Sequence, residues 1–367
     1  PAAGRQTGQV RVHWNDYKRD RHSDGDAYER RYVEGMIDGP GELRALLTGC
    51  GMAAFVTVLW FLLGEGKLSG PVIAGAGLYH ETRLLLDQAM PGRVRYVDER
   101  DTDGLLAAIA ERQPSAVFLD TLSNSAWMPV PAVALVIECL RGTDTYLILD
   151  NTGLSVGCQP FALAGDAVRL VTFESLLKYA QLGLDRVNAG VIVTRADDAA
   201  TLDSYREHMG TNIADASVHA LPSPDRGVLE QRLARLERNA LLIAERLSER
   251  APARVAVVHP ALCSHPCSEV AASLPFRGGC VSVVLDQREE QPGRERAFAE
   301  AVVAAAAKRG VPLFAGSSFA FDTTRIYPLA DAGYGAPFVR IAAGTEHRLA
   351  AESIAELLAD TLEEGAW

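Results

Sequence analysis

The chain has 367 residues, 48% of them hydrophobic and 23% charged, which is typical of a globular protein long enough for two domains and a large core. Its formal net charge of −11 argues against a nucleic-acid partner, because binding to a phosphate backbone needs clustered lysine and arginine. No apolar run reaches the ~18 residues that a membrane span requires, so we expect no membrane partner either.

The six cysteines are scattered without Cys-x-x-Cys pairs. In a chain of this length that spacing indicates reduced thiols, and with a polar start that does not read as a secretion signal it predicts a cytoplasmic protein. The stretch from Cys263 to Cys267 contains Pro266 and lacks a second ligand pair, so we expect a loop there and no metal site.

The first 27 residues carry many charges and few apolar groups, which predicts an extended arm without a core of its own. We place the arm in residues 1–45. Within it, Tyr28 and Arg30 are candidates to dock on an acidic group such as a phosphate, and a solvated run of charges is the alternative.

The stretch Leu46–Ala54 is expected to open a long apolar helix, with Thr48 or Gly49 as its N-cap. Gly51 has no side chain, so its backbone allows a ligand to approach closely. A helix N-terminus also attracts anions, and the sequence therefore predicts a phosphate seat at this point.

From Pro71 to Thr194, apolar strand patterns alternate with helical patterns. Such an alternation predicts a parallel sheet covered by helices on both faces, which we assign to a large domain of residues 46–225. Ligands bind beyond the carboxyl ends of such strands. The polar residues expected there are Tyr79, Asn124, Asp150, Thr152, Ser175 and Lys178.

The pattern changes after Arg195. Leucines near helical spacing predict one long helix over Gly227–Arg250, which we expect to link two domains. The segments that follow predict a small α+β domain, so residues 226–367 are assigned to the linking helix and this C-terminal domain.

Lys178 and Asp150 follow neighbouring predicted strands, and such a pair suits pyridoxal phosphate (PLP) chemistry. The lysine forms a Schiff base with the cofactor, and the carboxylate keeps the pyridinium nitrogen protonated so that the ring accepts electrons. Taken alone, a surface lysine and a helix cap are the simpler interpretations.

Ordered motifs from about Tyr28 to the C-terminus together resemble the cystathionine-synthase and lyase family, the Cys/Met-metabolism branch of fold-type-I PLP enzymes. The matching stretches are Tyr28-Glu-Arg30, Cys50-Gly51-Met52-Ala-Ala, Tyr79, Asn124, Asp150-Asn-Thr152, Ser175 to Lys178, Ser317 to Pro328 and Arg340 to Glu346. The resemblance implies the fold of that family, an α/β large domain with a mostly parallel sheet and a smaller C-terminal α+β domain.

The resemblance also implies a pyridoxal 5'-phosphate cofactor and three catalytic residues, Lys178, Tyr79 and Asp150. The residues implied to hold the cofactor within one chain are Cys50, Gly51, Met52, Tyr79, Asn124, Asp150, Thr152, Ser175 and Lys178.

Two further groups of residues take roles from the resemblance. Tyr28 and Arg30 would reach the PLP phosphate of a neighbouring subunit, which implies a homodimer or homotetramer. Arg340 would bind the α-carboxylate of an amino-acid substrate, with Ser317 nearby.

Some positions depart from the family pattern. Leu177 replaces the threonine before the lysine, His80 follows Tyr79 where small glycines are usual, and Phe319–Arg325 replaces a Gly-Gly loop. His80, Asp322 and Arg325 are therefore candidates to contact the substrate, with structural ion pairs at least as plausible. Because the changes fall on the substrate side, we expect a specialised substrate, as in secondary metabolism.

The expected reaction is γ-elimination or γ-replacement on an amino acid through a vinylglycine-type intermediate. Two other enzymes remain open at this stage, a PLP aminotransferase and an annulating enzyme that takes its γ-carbon unit from S-adenosylmethionine. A non-enzymatic PLP-fold protein is disfavoured, because scaffolding alone needs neither Lys178 nor Asp150.

Overall fold

A computed structural model describes residues 23–285, 293–330 and 336–365. Twelve strands lie in these ranges: β1 Leu43–Thr48, β2 Val72–Gly75, β3 Val94–Val97, β4 Ala116–Asp120, β5 Tyr146–Asp150, β6 Arg169–Ser175, β7 Gly190–Arg195, β8 Ala256–Val258, β9 Cys280–Val284, β10 Leu313–Ala315, β11 Thr324–Leu329 and β12 Phe338–Ala342.

The α-helices of the same ranges are α1 Ser23–Met36, α2 Gly51–Gly64, α3 His80–Ala89, α4 Thr102–Arg112, α5 Val133–Leu140, α6 Pro160–Ala164, α7 Ala196–Met209, α8 Asp215–Ala220, α9 Arg226–Arg250, α10 Ser268–Ala272, α11 Arg294–Arg309 and α12 Arg348–Glu364. Short 3-10 turns follow β5 and β6, at Ser155–Gly157 and Tyr179–Gln181. No helix in the described ranges is both long and apolar enough to cross a membrane.

Seven strands form the larger sheet, in the order β1-β7-β6-β5-β4-β2-β3. The five strands β2 to β6 are parallel, whereas β7 runs antiparallel to β6 and β1 antiparallel to β7. Alternate residues of each strand enter two different apolar clusters, as Leu147 and Leu149 do on one face and Tyr146 and Ile148 on the other. The strands read as continuous apolar runs because both faces of the sheet are buried. The predicted α/β class with a mostly parallel sheet is confirmed.

The second sheet has five strands, in the order β10-β11-β12-β9-β8, and only β10 and β11 are parallel. Together with α11 and α12 it encloses a separate apolar cluster. Helix α9 runs between the two domains: Leu229, Leu233 and Leu236 pack into the core of the large domain, and Ile243 and Leu247 into that of the small domain. The predicted linking helix is therefore present, one residue longer at its start.

The N-terminal part of the described chain differs from the predicted arm. Ser23–Met36 is helical, and β1 is an integral strand of the large sheet that the predicted domain boundary at residue 46 would divide. The expectation of a helix opening at Leu46 was likewise wrong, because β1 runs on to Thr48. The N-cap of α2 is Cys50, whose Sγ accepts a hydrogen bond from the Ala53 amide at 3.3 Å.

Helix α1 is fastened to the large sheet through a buried carboxyl group. The Tyr32 hydroxyl donates to Glu174 Oε2 at 3.1 Å, and the Ser155 hydroxyl donates to Glu174 Oε1 at 2.7 Å. Burial raises the pKa of Glu174 to about 7, against the effect of these two hydrogen bonds. The helix is thus held by a group whose proton affinity differs between the folded and unfolded chain.

Replacing Glu174 by glutamine is expected to change how stability depends on pH. Because Glu174 binds its proton more tightly in the folded chain, the stability it contributes is present at low pH and is lost as pH rises from about 5 to 7. The parent should therefore lose up to about 1.4 kcal/mol per pH unit relative to Glu174→Gln in this window. Urea denaturation from pH 5 to 8 measures the difference.

Glu245→Gln is the matched control, because Glu245 lies on the exposed side of α9. Its free energy of unfolding should differ from that of the parent by a constant amount. A constant difference for Glu174→Gln as well would contradict a pH-dependent attachment of α1.

Candidate active site

A cavity of about 400 Å³ lies between the carboxyl ends of the parallel strands and the small domain. Strands β4, β5 and β6, the N-terminus of α2 and the start of α3 supply its large-domain wall. Strands β11 and β12 and the loop before β11 supply the opposite wall. The lining residues are Cys50, Gly51, Met52, Tyr79, Asp120, Leu122, Asn124, Asp150, Thr152, Gly153, Phe173, Ser175, Leu177, Lys178, Ser317, Ser318, Phe319, Tyr327, Leu329 and Arg340.

Lys178 follows β6 and points its amine towards the small domain. Its Nζ donates a hydrogen bond to the Ser318 hydroxyl at 2.6 Å and lies 5.3 Å from the centroid of the Phe319 ring. Burial, and next the charge of Arg340, lower the pKa of the Lys178 amine below its usual value. A lowered pKa makes the unprotonated amine, which is the nucleophilic and basic form, more accessible near neutral pH.

Asp150 ends β5 and is fixed by the residue two places on. The Thr152 amide donates to Asp150 Oδ1 at 2.9 Å, while the Thr152 hydroxyl accepts a hydrogen bond from the Ser175 amide at 2.9 Å. Burial raises the pKa of Asp150 to about 6, although hydrogen bonds from Thr152 and the charge of Lys178 oppose the rise. Asp150 is thus largely ionised at neutral pH and can hold a proton on a basic ring nitrogen.

The N-terminus of α2 packs tightly against the end of β6. A Cβ added at Gly51 would lie 2.7 Å from Ser175 Cβ and 3.1 Å from Ser175 Cα, closer than side chains approach one another. Only glycine therefore lets the helix start here. This 14-residue helix presents its first amide groups and the positive end of its dipole to the cavity, an arrangement that favours an anion such as phosphate.

Arg340 projects from the middle of β12 and is only 6% exposed. Its Nη1 donates to Asn124 Oδ1 at 3.0 Å, and its Nη2 lies 3.5 Å from the Ser318 carbonyl oxygen. No acceptor among the described residues pairs with its buried Nε. A buried guanidinium with an unused donor is suited to bind a carboxylate.

Most of the predicted site residues meet in this one cavity. They are Cys50, Gly51, Met52, Tyr79, Asn124, Asp150, Thr152, Ser175, Lys178, Ser317 and Arg340. The residue that contacts the lysine amine is, however, Ser318 and not its neighbour Ser317.

Three residues expected to contact the substrate do not line the cavity. Asp322 pairs with Arg232 Nη1 at 2.6 Å and accepts a hydrogen bond from the Thr345 hydroxyl at 3.0 Å. The Arg325 guanidinium lies 3.3 Å from the centroid of the Phe321 ring. His80 starts α3 with its ring centroid 4.9 Å from that of Tyr79. Asp322 therefore forms a structural ion pair, which was the alternative interpretation of this residue.

Tyr28 and Arg30 lie away from the cavity too. Both are in α1, where the Tyr28 side chain is 3% exposed and packs into the core of its own chain. A side chain buried in this way cannot extend to a second subunit, so the predicted role of Tyr28 is inconsistent with its position. The physical reason is that α1 uses Tyr28 as an apolar anchor.

Sequence reasoning missed several residues of the cavity. Asp120 ends β4 directly opposite Asp150 of β5, and its Oδ2 accepts a hydrogen bond from the Tyr79 amide at 3.0 Å. Its position after an apolar strand, like that of Asp150, is a signal that would have identified it. Phe319 lies in the loop that departs from the family pattern on the substrate side, whereas Tyr327 carried no signal because strand register decides where it points.

The described residues fit PLP on three independent points. They offer a half-buried amine with a lowered pKa, a half-buried carboxyl group whose pKa is raised to about 6, and a helix N-terminus for a phosphate. The buried and unpaired Nε of Arg340 adds a seat for a substrate carboxylate in the same cavity. In the described part of the chain, no group of His, Cys, Asp or Glu side chains is arranged to hold a metal ion.

Comparisons with known proteins agree with this fit. A family model described as "Cys/Met metabolism PLP-dependent enzyme" matches residues 5–348. The structure of a cystathionine gamma-lyase from Lactobacillus plantarum, complexed with L-serine, is similar with a TM-score of 0.76 and 20% identity, covering 97% of this chain and 91% of that one. CalE6, a methionine gamma lyase from Micromonospora echinospora, gives a TM-score of 0.72 with 25% identity, covering 97% of this chain and 90% of that one.

One curated relative extends well beyond this chain. The bifunctional enzyme flvA of Aspergillus flavus is 26% identical over 314 residues, which are 83% of this chain and 37% of that enzyme. The chain therefore spans little more than a third of the length of that relative.

Replacing Gly51 by alanine is expected to weaken PLP binding by roughly tenfold or more, because relieving the contact with Ser175 displaces the start of α2. Titration of the apoprotein with PLP, followed by absorbance, measures the affinity. Gly49→Ala is the matched control, since the nearest atom to a Cβ at Gly49 is the Asn212 carbonyl oxygen at 3.7 Å. Equal affinities for the two variants would contradict a tight seat at Gly51.

Proposed function

The chain belongs to the Cys/Met metabolism PLP-dependent enzymes, and from this membership we propose that it removes or replaces a leaving group at Cγ of an amino acid. The observation that supports the proposal is the shared cavity of Lys178, Tyr79 and Arg340. Reaction at Cγ needs a carboxylate clamp, a base that serves two carbons in turn and an acid for the leaving group. These three side chains are suited to those tasks.

The cofactor would be held by residues of the large domain. Lys178 would bind its aldehyde, Asp150 would keep the proton on its ring nitrogen, and the α2 N-terminus at Gly51 with Ser175 would hold its phosphate. PLP, when bound, supplies a carbonyl that condenses with amines and a ring that accepts the electrons of a neighbouring carbanion.

Arg340 would orient the substrate. Its free Nε and its Nη groups form the fork that binds a carboxylate in two places, with Asn124 and the Ser318 carbonyl fixing the plane of the guanidinium. A carboxylate held there fixes the position of Cα relative to the Lys178 amine.

Lys178 would then move the protons. Its lowered pKa leaves the amine available to take a proton from Cα and afterwards from Cβ, and the Ser318 hydroxyl gives it a resting position when it is not engaged. Tyr79 would protonate the departing group. Its backbone amide is bound by Asp120, which sets where α3 begins and hence where the tyrosine lies.

A subunit arm remains part of the proposal, with other residues. A second Tyr-x-Arg occurs at Tyr17-Lys18-Arg19, ahead of α1 and outside the described ranges. Tyr17 and Arg19 are thus a second candidate pair for the motif that the family resemblance implied at Tyr28 and Arg30. A homodimer or larger homo-oligomer, acting in the cytoplasm, is the corresponding assembly.

The reaction class is tested with O-acetyl-L-homoserine in deuterated water. The PLP-loaded protein is expected to release acetate and to place deuterium at Cβ, because loss of a γ-group requires deprotonation at Cβ. Mass spectrometry of the recovered amino acid measures the deuterium at Cβ, and mass spectrometry of the keto acid measures the loss of the γ-group as acetate. Exchange at Cα alone together with pyridoxamine phosphate would indicate transamination and contradict the proposal.

Arg340→Lys is expected to raise KM for the amino acid roughly 10–100-fold, since an ammonium group makes only one of the two charge-assisted hydrogen bonds. Steady-state kinetics measure the change. Arg348→Lys is the matched control, because Arg348 is exposed at the start of α12 and its Nε pairs with Glu352 on the surface. An unchanged KM for Arg340→Lys would remove Arg340 from the carboxylate site.

A further inference from the structure

The part of the cavity that is not assigned to the cofactor or to the substrate carboxylate is uncharged. It is lined by Leu122, Ser317, Phe319, Tyr327 and Leu329. Four of these five side chains are apolar or aromatic, and they come from both domains. This region is where the group attached to Cγ and any incoming second substrate would lie.

Phe319 forms the centre of this wall. It is 8% exposed, its ring centroid is 5.3 Å from that of Tyr179, and it lies 5.3 Å from Lys178 Nζ and 5.9 Å from Arg340 Cζ. The ring therefore lies close to both the amine and the guanidinium. An apolar surface faces the position at which the side chain of a bound amino acid leaves Cα.

The loop that carries Phe319 is held in a defined shape. Ser318 and Ala320 have φ values of 67° and 73°, a region that side-chain-bearing residues seldom occupy. Arg232 of α9 donates to the Ala320 carbonyl oxygen at 2.9 Å and pairs with Asp322. The loop is thus held on its outer side by Arg232, which also pairs with the Asp322 carboxylate.

The charged groups that do line the cavity already have tasks. Lys178 and Asp150 serve the cofactor, and Arg340 serves the first carboxylate. Burial, and next the charge of Asp150, raise the pKa of Asp120 well above its usual value, and its Oδ2 is occupied by the Tyr79 amide. The described lining therefore leaves no cation for a second carboxylate and no anion for a second ammonium group.

We propose that the second substrate of this site is an uncharged molecule with an apolar body, and not an amino acid such as cysteine. The inference rests on the proposed γ-replacement and names its nucleophile class. Bringing a zwitterion against Phe319 and Leu329 would desolvate two charges without partners. An apolar body instead gains binding free energy by burying apolar surface on the same wall.

The transfer from O-acetyl-L-homoserine to an uncharged thiol balances in atoms and electrons. The sulfur forms a bond to Cγ and the Cγ–O bond breaks. Acetate leaves with the electron pair of that bond, and the thiol proton is released. The product is a thioether amino acid, and no oxidant or reductant is consumed.

The test compares ethanethiol with L-cysteine at a fixed concentration of O-acetyl-L-homoserine. The expected kcat/KM is at least tenfold higher for ethanethiol, even though its less acidic thiol works against it. Equal or better transfer to cysteine overturns the inference, and so does elimination without transfer to either thiol. Absence of acetate release and of deuterium at Cβ is a separate outcome, which overturns the proposed function itself.

A binding measurement provides a second readout that does not depend on turnover. S-ethyl-L-homocysteine and L-cystathionine are the products of the two thiols and differ in the second zwitterion. In thermal unfolding of the protein without PLP, S-ethyl-L-homocysteine is expected to raise Tm more than L-cystathionine at equal concentration. The opposite order overturns an uncharged site.

A charge added to the wall should weaken the preference. Tyr327 lies opposite Arg340 in the pairing of β11 with β12 and is 40% exposed, so Tyr327→Arg is tolerated by the fold. This variant is expected to raise the cysteine-to-ethanethiol ratio of kcat/KM about tenfold. Leu349→Arg is the control. Leu349 lies on α12, is 68% exposed and does not line the cavity, so the same added charge should leave the ratio unchanged. An unchanged ratio in Tyr327→Arg overturns the inference.

Discussion

The structure depends on a carboxyl group and an amine that lie half-buried where parallel strands end. Partial removal of Asp150 and Lys178 from water raises the pKa of the acid to about 6 and lowers that of the amine. Each group is therefore moved towards its neutral form by the same cause, and each partly offsets the shift of the other by its charge. Thr152 fixes the relative positions of the two groups. Its amide donates to Asp150, and its hydroxyl accepts a hydrogen bond from Ser175, the last residue of the strand that precedes Lys178.

The remaining chemistry is brought to this pair by the second domain. Arg340 enters from the middle of a strand, and its guanidinium bonds to Asn124 of the large domain and to Ser318 of its own domain. Helix α9 contributes leucines to both cores, so the two walls of the cavity share one rigid element. This helix brings the proposed carboxylate clamp, Arg340, and the proposed base, Lys178, to one cavity.

Chemistry and substrate choice are carried by different parts of the molecule. The cofactor seat consists of strand ends and a helix N-terminus whose packing leaves no room for a Cβ at Gly51. The wall around Phe319 is a loop of unusual backbone conformation, fixed from outside by Arg232. We therefore propose that changes in this loop alter what is bound without moving Lys178 or Asp150, since loops on a fixed scaffold carry function.

The amino-acid sequence by itself determined the parallel sheet, the linking helix and most of the cofactor seat. Those features follow from apolar periodicity and from polar residues placed directly after strands, and both are local properties of the chain. The tertiary structure decided which groups face the cavity. Tyr28 became a core anchor, and the exposed Asp322 pairs with Arg232. Ser318, Phe319 and Tyr327 reached the site through loop conformation and strand register, which no short stretch of sequence specifies.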